Sequence, residues 1–158
     1  MTAAAPGAPD RGSAGADLDD PSNRPSSLRP PPREPGPPRE ESEEQVRRAE
    51  REARKLVEAL IQGGVERREV CSMADIRGHR LFRRRYFRQA RVWFEAAVRT
   101  DPTFEPALLN AARATAAAGD RAAAVRHLKA LEKLGTPLAR SRLRLAAEDP
   151  DLAGLIDP

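Results

Sequence analysis

One cysteine and two histidines, Cys71, His79 and His127, are the side chains best suited to nucleophilic or metal chemistry in this chain. No two of them stand at the close pair spacing of a zinc site, and a lone cysteine rules out both a thiolate cluster and an intrachain disulfide. Cys71 has Glu69 and His79 nearby in sequence but no nucleophile motif around it, so it reads as a structural thiol. His127 reads as helix filler. No G-x-x-x-x-G-K-[ST] and no G-x-G-x-x-G occurs, which leaves nucleotide binding without a phosphate cradle. The carboxylate clusters EESEE (40–44) and AEDPD (147–151) suit helix N-termini better than an acid/base pair. The expectation is a protein without catalytic residues, metal or cofactor.

Arginine is what remains. Residues 77–91, RGHRLFRRRYFRQAR, hold seven arginines, three aromatics and no acid. Successive helical residues sit about 100° apart, so Arg77, Arg80, Arg83, Arg84, Arg85, Arg88 and Arg91 surround a helix pair rather than line one face. Phe82, Phe87 and Phe94 fall at packing positions, which leaves Tyr86 and Trp93 as candidates for exposure. The cluster would attract phosphate without reading sequence. It serves equally as a solvated surface balanced by the preceding glutamates, or as a site for an acidic protein. The net charge of +4 and pI near 9.9 favour acidic partners only modestly.

These residues need elements to hold them. Ten of fifteen prolines fall in residues 1–40, which are too poor in large apolar groups to offset the ordering entropy and are expected to be disordered. Within them RPPPREPGPPRE (29–40) favours polyproline II, with Arg29, Pro32 and Pro35 at R-x-x-P-x-x-P spacing, as spacer or as ligand. MTAAAPGAPDRGS has no basic start followed by an apolar run, no apolar stretch is long enough to span a bilayer, and a cytoplasmic location is expected. SEEQ (42–45) is a capping box, and Val46, Ala49, Ala53, Leu56, Val57, Leu60 and Ile61 form an apolar stripe over 41–64. That stripe suits packing on its own domain, covering an open end of it, or pairing with a second copy. From about Ser72 helices and turns alternate, broken at Asp101-Pro102, Gly119-Asp120 and Gly135, with a last turn opened by Asp149-Pro150. Nothing alternates with period two, so the chain is all-α, with its main domain over 65–158.

Gly78, Ala90, Phe94, Ala97 and Pro102 follow G-x11-A-x3-F-x2-A-x4-P, and 34 residues on stand Ala112, Ala124, Leu128, Leu131 and Thr136. Small residues at 78/112 and 90/124 let helices approach closely, while Phe94 and Leu128 fill the space beside them. This pattern resembles the tetratricopeptide repeat family over residues 71–148, as two units and a third first helix. Ala74 and Arg77 stand where the family favours Trp and Leu. Its turn glycine is present as Gly119 but is replaced by Arg85.

The resemblance implies an α-solenoid whose first helices line a concave groove. Its lining would come from Asp75, His79, Phe82 and Arg83, then Leu109, Asn110 and Arg113, then Arg140 and Arg144 if the period runs on. Some family members hold a partner's C-terminal carboxylates there. Asn110, Arg140 and Arg144 match half of that arrangement, whereas Asp75 and His79 replace the lysine and asparagine of the other half. The function expected is a non-catalytic adaptor binding a protein or peptide segment, possible acidity of that partner included. The alternatives are a nucleic-acid accessory protein using Arg83, Arg84, Arg85 and Arg88, and self-assembly through helix 42–62.

Overall fold

The structure, a computed structural model, describes residues 36–156. The disorder expected of 1–35, and the Arg29, Pro32, Pro35 motif, lie outside them. Six helices and no strand occur among the described residues: α1 (Glu43–Gln62), α2 (Arg67–Arg83), α3 (Phe87–Thr100), α4 (Glu105–Ala117), α5 (Arg121–Leu134) and α6 (Pro137–Glu148). None is long and apolar enough to cross a membrane.

The capping box closes as its residue types require: Ser42 Oγ accepts from Gln45 N–H at 3.2 Å and Gln45 Oε1 accepts from Ser42 N–H at 2.8 Å. Helix α1 then buries Val46, Ala49 and Ala53 in a cluster with Val92, Trp93 and Ala96 of α3. The stripe is therefore spent within the chain along its first half, while Ile61 at the far end stays 39% exposed. Trp93, a candidate for exposure, is instead walled in by α1 and retains 3% of its surface.

Order also begins before residue 41. Arg39 N–H donates to the Arg85 carbonyl at 3.0 Å. Glu41 accepts from the backbone N–H groups of Arg88 at 2.7 Å and Gln89 at 2.8 Å. Helix α3 has no side-chain cap of its own at Tyr86, so a carboxylate remote in sequence satisfies its orphan donors. No local pattern assigns Glu41 this role, because the N–H groups it caps begin 47 residues further along the chain.

Helices α2/α3 and α4/α5 form two hairpins with a common frame. The boundaries Arg83, Phe87 and Thr100 recur 34 residues later as Ala117, Arg121 and Leu134. The turn bonds recur too: Arg85 N–H to Phe82 O and Gly119 N–H to Ala116 O are both 2.9 Å. The middle turn residue is left-handed in each, φ 70° at Arg85 and 91° at Gly119. Arg85 thus occupies a conformation that suits glycine, at a cost of about 1–2 kcal/mol. Where α2 crosses α3, a Cβ on Gly78 would lie 2.6 Å from Phe94 Cε1, so only glycine fits against that ring. At the matching place Ala112 meets the smaller Leu128 side chain within a second cluster.

Helix α2 starts at Arg67 rather than near Ser72. Val70, 1% exposed, anchors the added first turn. Helix α4 touches α2, α3, α5 and α6 and is the centre of the domain. Helix α6 opens at Thr136, whose Oγ1 accepts from Ala139 N–H at 2.9 Å and donates to Glu105 Oε1 at 3.1 Å. Asp149 ends it and caps a following set of turns through Asp151 N–H at 3.0 Å, and Leu152 is fully buried there. These last residues are turns, not a further helix.

Candidate functional site

Facing sides of α2, α4 and α6 meet in a cleft of about 470 Å³. Helix α2 gives Asp75 and His79, α4 gives Pro106, Leu109, Asn110 and Arg113, and α6 gives Arg142, Leu145 and Glu148, with Asp149 and Pro150 beyond it. The spacing explains the sides chosen. Cys71, Ala74 and Gly78 turn inward on α2, which leaves Asp75 and His79 one turn apart on the neighbouring face.

Asn110 organises the floor. Its Nδ2 donates to Asp75 Oδ1 at 2.9 Å and lies 3.0 Å from His79 Nε2. His79 also stands edge-on to Phe94, 5.4 Å between centroids. Burial pushes the Asp75 carboxyl above its ordinary value, against the opposing pull of the Asn110 amide, His79 and Arg142. Arg113 Nε donates to Asp149 Oδ2 at 2.6 Å, with its guanidinium 5.8 Å from the Phe82 ring centre. Beside this pair, Arg142 Nε is buried with no hydrogen-bond partner among the described residues. Leu109 is buried at 4% exposure, whereas Leu145 keeps 52% of its surface on the opposite wall.

The expected groove residues divide accordingly. His79, Leu109, Asn110 and Arg113 come together. Phe82 packs below them, 5.0 Å from Phe87 and 6.5 Å from Phe94. Arg83 lies on the exposed face of α2, outside the cleft. Arg140 and Arg144 do not reach it either. Arg140 Nη1 turns back to the Gly135 carbonyl at 2.7 Å, where α5 ends and its carbonyls need donors, and Arg144 faces solvent. Helix α6 keeps its inward small residues, Ala139 and Ala146, in the 34-residue register. The side it shows the cleft carries Arg142, Leu145 and Asp149 instead. Extrapolating the groove period could not find them; the one available signal was the apolar–basic stripe Leu138, Arg142, Leu145.

No serine, threonine or cysteine lines this cleft, so His79 has no hydroxyl or thiol to activate. Cys71 is fully buried, its thiol donating to the Ala97 carbonyl at 3.3 Å. Burial pushes that thiol up to about 11, which leaves it protonated and a poor nucleophile. No group of three metal-ligating side chains occurs among the described residues.

The arginine stretch is largely committed. Arg88 Nη2 pairs with Glu43 at 2.6 Å. Arg91 bridges Glu95 at 2.8 Å and Asp120 at 3.1 Å. Burial alone would push the Glu95 carboxyl up, but His127 and Arg91 outweigh it and hold it down to about 2. His127 Nε2 stands 3.6 Å from Glu95 Oε1. Arg77 and Arg85 stack over Trp93 and Phe87 at 5.0 and 4.7 Å. Of the seven, Arg80, Arg83 and Arg84 are exposed with neither an ion pair to a described residue nor an aromatic ring beneath the guanidinium.

A further cleft of about 500 Å³ opens where the second half of α1 leaves α3, between Val57 and Ile61 on one side and Val92 and Arg99 on the other. Its lining also carries Glu50, Arg54, Glu58, Arg67, Glu95 and Arg99, charges of both signs around an apolar seam. Compared with family models, with curated proteins and with solved structures, the chain matches none.

Proposed function

We propose that this chain is a non-catalytic interaction module of tetratricopeptide-like type, which holds a segment of a partner protein in the α2–α4–α6 groove. The observation that carries the reading is the convergence of an organised polar floor with an exposed apolar wall. Asp75, His79 and Asn110 are already hydrogen-bonded to one another and need no rearrangement, and preorganisation of this kind lowers the cost of binding. Leu145 opposite them is a large apolar side chain with half its surface in water. Concave sites of this composition are where ligands most often sit. The 34-residue recurrence of hairpin boundaries also supports the family likeness. A cytoplasmic setting goes with this reading.

The partner segment would lay an apolar residue against Leu145 and Leu109 and present a polar group to Asn110 and Arg142. Nucleic acid is less well supported, because Phe82, Phe87, Phe94 and Trp93 are engaged in packing and cannot serve as base-stacking platforms. Self-assembly through α1 is less well supported too, since Val46, Ala49 and Ala53 are already covered by α3.

Affinity capture from native lysate with nuclease present tests the reading. The expected result is a defined protein retained by the wild type and lost with Leu145→Glu, a change at an exposed position that spares the core. Capture that is unchanged by Leu145→Glu, or that vanishes with nuclease, overturns it.

A further inference from the structure

Helix α2 carries a second unpartnered face, turned away from the groove. Met73, Ile76, Arg77, Arg80, Arg83 and Arg84 recur at three- and four-residue spacing and therefore form one stripe. Met73 and Ile76 keep 38% and 52% of their surface in water. Alongside, a shallow cleft of about 580 Å³ runs between α1 and α2, lined by Gln45, Arg48, Glu52, Arg77 and Arg80.

The two walls of that cleft differ in charge status. On α1, Glu52 is held by Arg48 at 2.8 Å and Gln45 is spent in the capping box. On α2, Arg80, Arg83 and Arg84 pair with no described residue, while Arg77 is held in place over Trp93. The α2 wall of the cleft therefore presents Arg77 and Arg80, and beyond the cleft the same helix exposes Arg83, Arg84, Met73 and Ile76 with no counterpart. A phosphate backbone would satisfy the arginines but leave Met73 and Ile76 in water. An uncharged apolar segment would cover Met73 and Ile76 and leave the arginines unpaired. Only a segment that is both acidic and apolar answers the whole stripe.

We infer that this face of α2 docks an acidic amphipathic segment of a partner protein. It would lie along α2 as a helix, its apolar residues over Met73 and Ile76 and its carboxylates toward Arg80, Arg83 and Arg84. From Met73 to Arg84 the stripe runs about 16 Å, which matches three turns of such a helix. Arginine suits the task because its planar fork binds carboxylates in bidentate fashion. This surface is separate from the groove, so one chain could hold two segments at once.

Selection of a displayed random 16-residue peptide library on the full chain tests it. The expected pool is rich in Asp and Glu, with Leu, Ile or Phe at helical spacing. Its affinity falls at least tenfold against Met73→Ser/Ile76→Ser and again against Arg80→Glu/Arg83→Glu/Arg84→Glu, and does not change with Leu145→Glu. All substituted positions are exposed, and circular dichroism of each variant confirms that it stays folded. Acidic peptides that bind the Met73→Ser/Ile76→Ser chain as well as the wild type would overturn the inference and reduce the stripe to a general anion surface. A pool lost only with Leu145→Glu would overturn it in favour of the groove alone, and a pool without acidic–apolar peptides would also sink it.

Discussion

Helices α2 and α4 open two hairpins with the same frame, yet they meet water very differently. Nine of the thirteen residues of α4 are buried, against four of the seventeen in α2. Helix α4 is enclosed by α2, α3, α5 and α6, whereas α2 has neighbours on fewer sides. The difference teaches that the recurring unit fixes backbone geometry and close-contact places, and that position in the stack decides which faces are left for partners. The central helix supplies the groove floor, Leu109 and Asn110. The first helix supplies one groove wall and, on its uncovered side, the arginine–apolar stripe.

The same comparison within the contacts can be broken by exchanging their residues. The first hairpin pairs Gly78 with Phe94, and the second pairs Ala112 with Leu128. Gly78→Ala drives a Cβ into the Phe94 ring and should cost about 1–3 kcal/mol in urea unfolding. Phe94→Leu alone leaves a void above Gly78 and should cost about 1–2 kcal/mol. Together they recreate the pair of the second hairpin, so the double variant should lose clearly less than the sum of the two. Strict additivity would show that the hairpins are not equivalent at this contact.

Next in size is the acid dependence of the joint between hairpins. Arg91 and Glu95 of α3 reach Asp120 and His127, in the turn and the second helix of the second hairpin. The folded-state value of Glu95, about 2, lies below its ordinary 4.5. Its contribution is therefore full above about pH 4.5 and is lost as pH falls toward 2. Glu95→Gln should lower stability at pH 7 by on the order of 2 kcal/mol and flatten the acid slope in that window. Equal acid slopes for the variant and the wild type would contradict this.

The smallest expected effects lie in the two turns. Arg85→Gly should raise stability by up to about 1 kcal/mol, because glycine holds a left-handed conformation without the Cβ penalty. Gly119→Ala should lower it by about 1 kcal/mol for the converse reason. Thermal unfolding of both variants would sharpen the comparison: matched opposite shifts mean equivalent turns, and any gain below that expected at Arg85 measures its stack on Phe87.

Helix number, the capping box, the turn positions and the 34-residue register were legible in sequence because each depends on local residue types. The groove was legible through His79, Leu109, Asn110 and Arg113, which belong to the two complete hairpins. It failed at α6. A terminal helix is constrained on its packed side alone, so Ala139 and Ala146 keep register while its cleft side presents Arg142 and Leu145. Arg140 was diverted by a nearer acceptor, the Gly135 carbonyl. Trp93 and Glu41 were missed for another reason. Both depend on α1 and its lead-in folding onto α3, a long-range contact that no local pattern encodes.

The central claim is that the α2–α4–α6 groove receives a partner protein. A photo-crosslinking amino acid placed at Leu145, and separately at Arg144 on the solvent side of the same helix, tests it most directly in native lysate with nuclease. The account predicts a discrete protein adduct from position 145 and none from 144. Adducts from both positions alike, or none from 145, would contradict it.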